Sequence, residues 1–216
     1  MATYVMSDIH GEGRRFHAML KRLRLTAEDT LYILGDVIDR GTDGVALLRF
    51  IMGEKNIVLL KGNHEQLCLD YYREGASFLE TLRWGRNGTA HTLRAMERMR
   101  EKTRRELLSY LEQLPDFAEV TVGEKTYYLV HGMASENAYE RLWSRPDFYM
   151  PPLLPGKTLI VGHTPVVVYS KHEPVRDHFR ILFAPGFIDI DCGCGHTSEQ
   201  RRLACLRLED MEEFYC

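Results

Sequence analysis

The sequence has no apolar run approaching the ~18–20 residues that a membrane-spanning helix needs, so no membrane partner is expected. It has no basic block either. The formal net charge is −3, which gives no electrostatic reason to expect nucleic-acid binding. Mild acidity still admits a phosphate substrate, because metal ions and a few arginines reverse the field locally. Cysteine is sparse and odd in number, at positions 68, 192, 194, 205 and 216, unlike the paired framework of a short secreted domain. The stretch Met1-Ala2-Thr3-Tyr4-Val5-Met6-Ser7-Asp8 lacks the basic start and long apolar core of a signal peptide. The expectation is a cytoplasmic chain with free thiols. Internal repeats, linkers and low-complexity segments are also missing, which leaves 1–216 as one domain with ample length for a buried core.

What is present is a folded composition, with 44% hydrophobic and 27% charged residues, outside the range of disordered chains. Five short apolar segments read as strands buried on both faces: Thr3–Ser7, Leu31–Leu34, Ile57–Leu60, Tyr127–Val130 and Thr158–Val161. Helical stripes separate the first three, Phe16, Leu20 and Leu23 in one and Val45, Leu48 and Met52 in the next. That order is βαβαβ, which predicts a largely parallel sheet. Residues 65–113 read as several helices interrupted at Trp84-Gly85-Arg86-Asn87-Gly88 and ended by Leu114-Pro115. Phe117–Val122 and Lys125–Val130 flank Gly123-Glu124 as a hairpin. Further strands are expected near Val166–Tyr169, Ile181–Phe183, Ile188–Asp191 and Leu203–Leu208. The simplest assembly is two β-sheets flanked by helices.

Each of the five apolar strands runs directly into polar, metal-capable residues: Asp8-Ile9-His10, Gly35-Asp36, Gly62-Asn63-His64, His131-Gly132 and Gly162-His163. Taken singly, each has a bland explanation. An Asp-x-His pair caps a turn, a glycine makes one, and a buried histidine is satisfied by a hydrogen bond. Repetition at five strand ends is what singles the pattern out, because ligands in open α/β sheets sit beyond the carboxyl ends of the strands. If the strands lie side by side, Asp8, His10, Asp36, Asn63, His131 and His163 converge. Three imidazoles, two carboxylates and an amide, with no thiolate, suit manganese, iron or zinc rather than a structural zinc knot. Six ligands exceed one open catalytic site and fit two metals ~3.5–4 Å apart that share one carboxylate.

The blocks Ser7-Asp8-Ile9-His10-Gly11, Gly35-Asp36-Val37-Ile38-Asp39-Arg40-Gly41 and Gly62-Asn63-His64-Glu65 resemble the signatures of the phosphoprotein phosphatase family of calcineurin-like metallophosphoesterases. The likeness is closest to compact bacterial and phage serine/threonine phosphatases. His131-Gly132-Met133, Gly162-His163-Thr164-Pro165 and Ile188-Asp189-Ile190-Asp191-Cys192-Gly193 look like the later blocks, so the resemblance spans nearly the whole chain. It implies an α/β fold with two mixed sheets sandwiched between helices, and two divalent metals, manganese first with iron or zinc as alternatives. Asp8, His10 and a bridging Asp36 would hold one metal. Asp36, Asn63, His131 and His163 would hold the other. The implied reaction is attack of a metal-bridging hydroxide on a phosphoserine or phosphothreonine monoester, with phosphotyrosine a further substrate. His64, paired with Asp39, would protonate the leaving oxygen. Arg40 and, from the Trp143-Ser144-Arg145 region, Arg145 would bind the phosphoryl group.

The resemblance implies phosphorylated proteins or peptides as partners. Symmetrical diadenosine tetraphosphate hydrolases share nearly the same metal site and form the main alternative. That branch resembles Gly-Asp-x-x-Ala-Arg-Gly where this chain has Asp39, and reads His-Asp where it has His64-Glu65. A non-catalytic metal-binding module predicts a missing ligand, and a metal nuclease predicts a basic surface; the sequence displays neither. Lys61 stands where the family often has arginine, a point charge in place of a fork. Gly195–Arg202 reads as a polar loop, with His196 a surface histidine near the site. His17, His91, His172 and His178 match no block and are expected to be surface or packing residues. Cys192 and Cys194 are expected to be small packed side chains.

Overall fold

Every residue of β1 (Thr3–Met6) is buried, which requires cover on both faces of the strand. The cover differs from face to face. Tyr4 and Met6 enter a core shared with helices, whereas Val5 enters a second core, as the two-residue period of a strand dictates. The computed structural model describes residues 1–73, 77, 82, 84–172 and 178–216.

The first sheet runs in the order β10 (Glu213–Tyr215), β9 (Ala204–Arg207), β1, β2 (Thr30–Ile33), β3 (Ile57–Leu59). β1, β2 and β3 are mutually parallel, and β9 and β10 add antiparallel. The second sheet runs β4 (Phe117–Val122), β5 (Lys125–Val130), β6 (Lys157–Val161), β8 (Ile188–Asp189), β7 (Leu182–Phe183). Its centre, β5-β6-β8, is parallel, and its edges are antiparallel. Both sheets are therefore mixed.

The five ligand-bearing strands do not form one sheet, and the side-by-side expectation is corrected here. β1, β2 and β3 belong to the first sheet, while β5 and β6 belong to the second. Convergence comes from face-to-face packing. Val5, Leu34, Leu60 and Leu206 meet Tyr127, Leu129, Ile160 and Ile188 in one core between the sheets. Alternate residues Tyr128, Val130, Leu159 and Val161 face outward against Phe148, Val166, Tyr169 and Phe187.

The outer face of the first sheet is covered by helices α1 (Gly13–Leu23), α2 (Gly44–Gly53), α3 (Asn63–Tyr72), α4 (Ala90–Glu97) and α5 (Glu101–Glu112). α1 buries Phe16, Met19 and Leu23, and its basic last turn, Lys21 and Arg22, suits the negative helix end. α2 buries Val45, Leu48 and Ile51, while Met52 is exposed. The expected stripe holds at Val45 and Leu48, and only its last position shifts, from Met52 to Ile51. The short helix α6 (Ala138–Trp143) starts at Asn137, whose side chain accepts from the backbone N–H of Tyr139 and Glu140.

Two further expectations change. Val166–Tyr169 is a 3₁₀ turn rather than a strand. Pro165 fixes the entry dihedral, and the Val166 N–H is taken by the Asp191 carbonyl. β10 was not anticipated, because three residues are too few to carry a period. The five cysteines are free, and among the described residues no helix is long and apolar enough to cross a membrane.

Candidate active site

The loops after β1 and β2 are stitched together through the backbone. His10 N–H donates to Asp36 O (2.9 Å), Gly11 N–H to Val37 O (2.8 Å), and Gly41 N–H returns to His10 O (2.9 Å). To make these bonds the chain adopts positive φ at Asp8 (52°), His10 (47°), Asp36 (55°), Asp39 (69°) and Arg40 (63°), and again at His163 (65°). Among the described non-glycine residues only Arg24 and Met211 share that region. Such backbone costs roughly 1–3 kcal/mol per residue and persists only where surrounding structure over-determines it. Six of the ten residues singled out from sequence lie there.

Glu65 supplies much of that constraint. Its fully buried carboxylate accepts from the N–H groups of Asp36 (2.8 Å), Val37 (2.9 Å), Ile38 (3.4 Å) and Gly62 (3.0 Å). One side chain at the start of α3 thereby clamps the loop after β2 to the loop after β3. Glycine at 62 permits the approach, since a Cβ there would fall against Asp36.

The side chains converge on Asp36. Its carboxylate lies 3.6 Å from His10 Nε2, 3.8 Å from His64 Nε2 and 3.4 Å from His131 Nε2. His10 Nε2 is also 3.8 Å from Asp8 Oδ1. Candidate ligand atoms of His10, Asp36 and His64 lie within 4.8 Å of one another, as do those of Asp36, His131 and His163. Asp36 belongs to both groups. Asp8 is held from behind, its Oδ2 accepting from Ser7 Oγ and from the His163 N–H (2.9 Å).

The donor set fits divalent cations. His131 Nδ1 donates to Leu34 O at 2.7 Å, so a neutral ring turns a lone pair on Nε2 toward Asn63 Oδ1 at 2.8 Å and Asp36 Oδ1 at 3.4 Å. Three acceptors facing one another are satisfied by a shared cation. His10 is prepared likewise, with Nδ1 donating to Ile38 O at 3.1 Å and Nε2 left for a ligand. His163 Nε2 is buried with no hydrogen-bond partner. Burial, reinforced by His64 and Arg40, holds the His10 imidazole well below its ordinary value. Burial, with His131 and Arg145, takes His163 down to about 2. Burial pushes the Asp36 carboxyl up, and the carboxylates of Asp8 and Glu65 add to it. The low-pKa imidazoles of His10 and His163 beside the Asp36 carboxylate form a site for cations.

His64 differs from these rings. Its Nδ1 donates to Asp39 Oδ2 at 2.7 Å rather than to a carbonyl. Burial alone would lower its pKa, but the carboxylates of Asp36 and Asp39 outweigh burial and raise it. Asp39 is itself fixed by Trp84 Nε1, which donates to Oδ2 at 2.8 Å, and by Thr92 Oγ1, which accepts its N–H at 3.0 Å.

Arg40 and Arg145 bear on different members of the cluster. Arg40 N–H donates to Gly88 O at 2.8 Å, and its charge bears on His10 and His64. Arg145 is exposed, and its charge bears on His163 and Asp189. Lys61 turns away, its Nζ 3.5 Å from Glu112 O at the end of α5. His196 is exposed as expected, with Nε2 3.5 Å from Arg40 Nη1. Cys192 and Cys194 are buried, and burial raises both thiols, which suits packing rather than redox work.

Sequence reasoning gave no role to Glu65, Trp84 or Thr92, nor to the buried Asp189 and Asp191 that support the turn beyond β8. Local signals existed for Glu65, inside the Gly-Asn-His-Glu block, and for Asp189 and Asp191, which lie in the last block and accept from backbone N–H groups two residues on. The partner that Trp84 and Thr92 share, Asp39, is remote in sequence.

Comparison with known proteins identifies the family. The calcineurin-like phosphoesterase family model covers residues 1–209. Serine/threonine-protein phosphatase 1 of Salmonella typhimurium is 30% identical over 155 residues, 66% of this chain and 68% of that protein. A symmetrical bis(5'-nucleosyl)-tetraphosphatase of Haemophilus ducreyi is 40% identical over 67 residues, which is 30% of this chain and 25% of the tetraphosphatase's length. The crystal structure of a metallophosphoesterase from Sphaerobacter thermophilus superposes with a TM-score of 0.61 at 20% identity, covering 100% of this chain and 87% of that one. The chain belongs to the calcineurin-like phosphoesterase family.

Proposed function

We propose that this metallophosphoesterase is a cytoplasmic protein phosphatase that hydrolyses phosphoserine and phosphothreonine monoesters, with manganese as its metal and phosphorylated proteins as its partners. The observation that carries the reading is the buried His64–Asp39 pair, 2.7 Å between Nδ1 and Oδ2. An alkoxide leaves poorly unless it is protonated as the phosphorus–oxygen bond breaks, and a histidine held on one nitrogen by a carboxylate is built to deliver that proton.

The roles follow from placement. Asp8, His10 and Asp36 would hold one cation, and Asp36, Asn63, His131 and His163 the other. When bound, the cations supply positive charge toward the phosphoryl oxygens and acidify a water at the site. Arg40 and Arg145 bind the phosphoryl oxygens through their planar forks. Asp39 holds the His64 ring in one orientation, so that Nε2 faces the cluster. Nε2 then passes its proton to the leaving oxygen. Coverage of 68% of the Salmonella phosphatase, against 25% of the tetraphosphatase, supports the monoester reading over the dinucleotide one.

The test is phosphate release by the manganese-loaded chain, with a phosphoserine/phosphothreonine peptide and diadenosine tetraphosphate offered in parallel. Release from the peptide with the dinucleotide intact is expected. Cleavage of the dinucleotide into two diphosphates with the peptide untouched would move the function to tetraphosphate hydrolysis.

A further inference from the structure

His196 follows a glycine that is packed directly against the metal cluster. Gly195 lies so close to His10 that a Cβ there would stand 2.3 Å from the imidazole Cδ2. The His10 ring is itself pinned, with Nδ1 donating to Ile38 O at 3.1 Å. The loop is closed at its base as well. The His196 N–H donates to Gly193 O at 3.0 Å, and the Arg202 N–H donates to Cys192 O at 3.1 Å. The place of His196 is therefore set by the His10 ring, and that ring is held by the chain leading to Arg40.

Arg40 is confined at both ends of its side chain. Its N–H donates to Gly88 O at 2.8 Å, and a Cβ at Gly88 would stand 3.1 Å from Arg40 Cγ. The far end meets His196, whose Nε2 lies 3.5 Å from Arg40 Nη1. A guanidinium carries only donors and keeps its charge. The imidazole is then the acceptor, neutral, with its proton on Nδ1. Its surroundings agree: burial and then the Arg40 charge lower its pKa, against the opposing Asp8 carboxylate. A long side chain that must be ordered on binding loses rotamer freedom, and a fixed partner removes part of that cost beforehand.

We infer that His196 is a positioning residue for Arg40, accepting from Nη1 and holding the guanidinium at the metal cluster with its remaining N–H donors left for phosphoryl oxygens. The inference rests on the reading of Arg40 as a phosphate ligand. It does not depend on whether a peptide or a dinucleotide is the substrate. The two residues are 156 positions apart, and His196 sits in a polar loop, so by sequence it reads only as a surface histidine.

Calorimetric titration of inorganic phosphate into the manganese-loaded chain tests it, as a double-mutant cycle over His196→Phe and Arg40→Ala. His196→Phe keeps the bulk of the ring without its acceptor. It is expected to bind phosphate about three- to tenfold more weakly, with thermal midpoint and manganese content unchanged. His196→Gln supplies an acceptor oxygen and is expected to bind within about twofold of wild type. In the Arg40→Ala background, already weak for phosphate, His196→Phe is expected to add nothing. Undiminished binding in His196→Phe, or an equal loss with and without Arg40, would overturn the inference and leave Arg40 its role. Undiminished binding in Arg40→Ala would remove that role and the inference with it.

Discussion

Asp39 Oδ2 accepts two hydrogen bonds at once, from His64 Nδ1 at 2.7 Å and from Trp84 Nε1 at 2.8 Å. The indole fixes the carboxylate, and the carboxylate fixes the imidazole. If His64 is the general acid, Asp39→Asn removes the charge that keeps its proton and leaves the metal ligands in place. Turnover of a phosphoserine peptide should fall by about 10²–10⁴ with manganese content unchanged. p-Nitrophenyl phosphate, whose leaving group needs little protonation, should lose less. Steady-state kinetics with elemental analysis checks this, and loss of metal in the variant would make the pair part of the metal site.

Glu65 is the side chain whose removal should cost most stability. Glu65→Ala leaves buried N–H groups of Asp36, Val37 and Gly62 without their acceptor, at about 1–3 kcal/mol for each group that water does not reach. A total loss of about 3–5 kcal/mol is expected, with manganese bound more weakly because the loop carrying Asp36 is released. Urea denaturation of the metal-free chain isolates the first effect.

Gly62→Ala should disturb the fold and the metal centre together. Its Cβ would fall on the Asp36 backbone N as well as its carboxylate, and stand 2.7 Å from Glu65 Oε2. Overpacking costs about 1–3 kcal/mol and more where backbone must move. Thermal midpoint, manganese content and turnover should all fall, as melting curves and elemental analysis would read.

A pH effect on stability should come from Asp29, far from the metal centre. Its carboxylate accepts from Thr26 N and Oγ1, both at 2.9 Å, and from Ala2 N at 2.6 Å. The Thr26 backbone bond, then that of Ala2, holds its pKa below the ordinary carboxylate value. A depressed folded pKa adds stability that is fully present above the unfolded value of about 3.9 and is lost as pH falls through the folded one. Asp29→Asn should therefore unfold at a lower temperature than wild type near neutral pH. The gap should close as pH falls below about 4. Thermal midpoints measured across that range decide it.

What the sequence made legible was local. Asp8-Ile9-His10 and Gly62-Asn63-His64 each follow an apolar strand, so strand and ligand are read in one glance, and β1, β2, β3, β5 and β6 stand within a residue or two of their expected bounds. Helix phase was harder. Ile51 and Met52 are both apolar, and only packing against β3 and α4 decides which turns inward. Val166–Tyr169 has strand propensity, yet Pro165 and the Asp191 carbonyl impose a 3₁₀ turn, a tertiary override of local preference. Least legible were the supports of the site. Trp84 and Thr92 reach Asp39 across 45 and 53 residues. Contacts so remote leave no pattern in a single sequence.

In the proposed metal centre Asp36 is the ligand shared by two cations. Its carboxylate faces His10, His64 and His131 within 3.4–3.8 Å, and it belongs both to the cluster with His10 and to the cluster with His131 and His163. The most direct test is the manganese content of purified wild type and Asp36→Asn, by elemental analysis after equilibration and desalting. Two ions per chain in the wild type, and at most one in the variant, is the expected result. Two ions retained in Asp36→Asn, or a wild type that never holds more than one, would contradict the account.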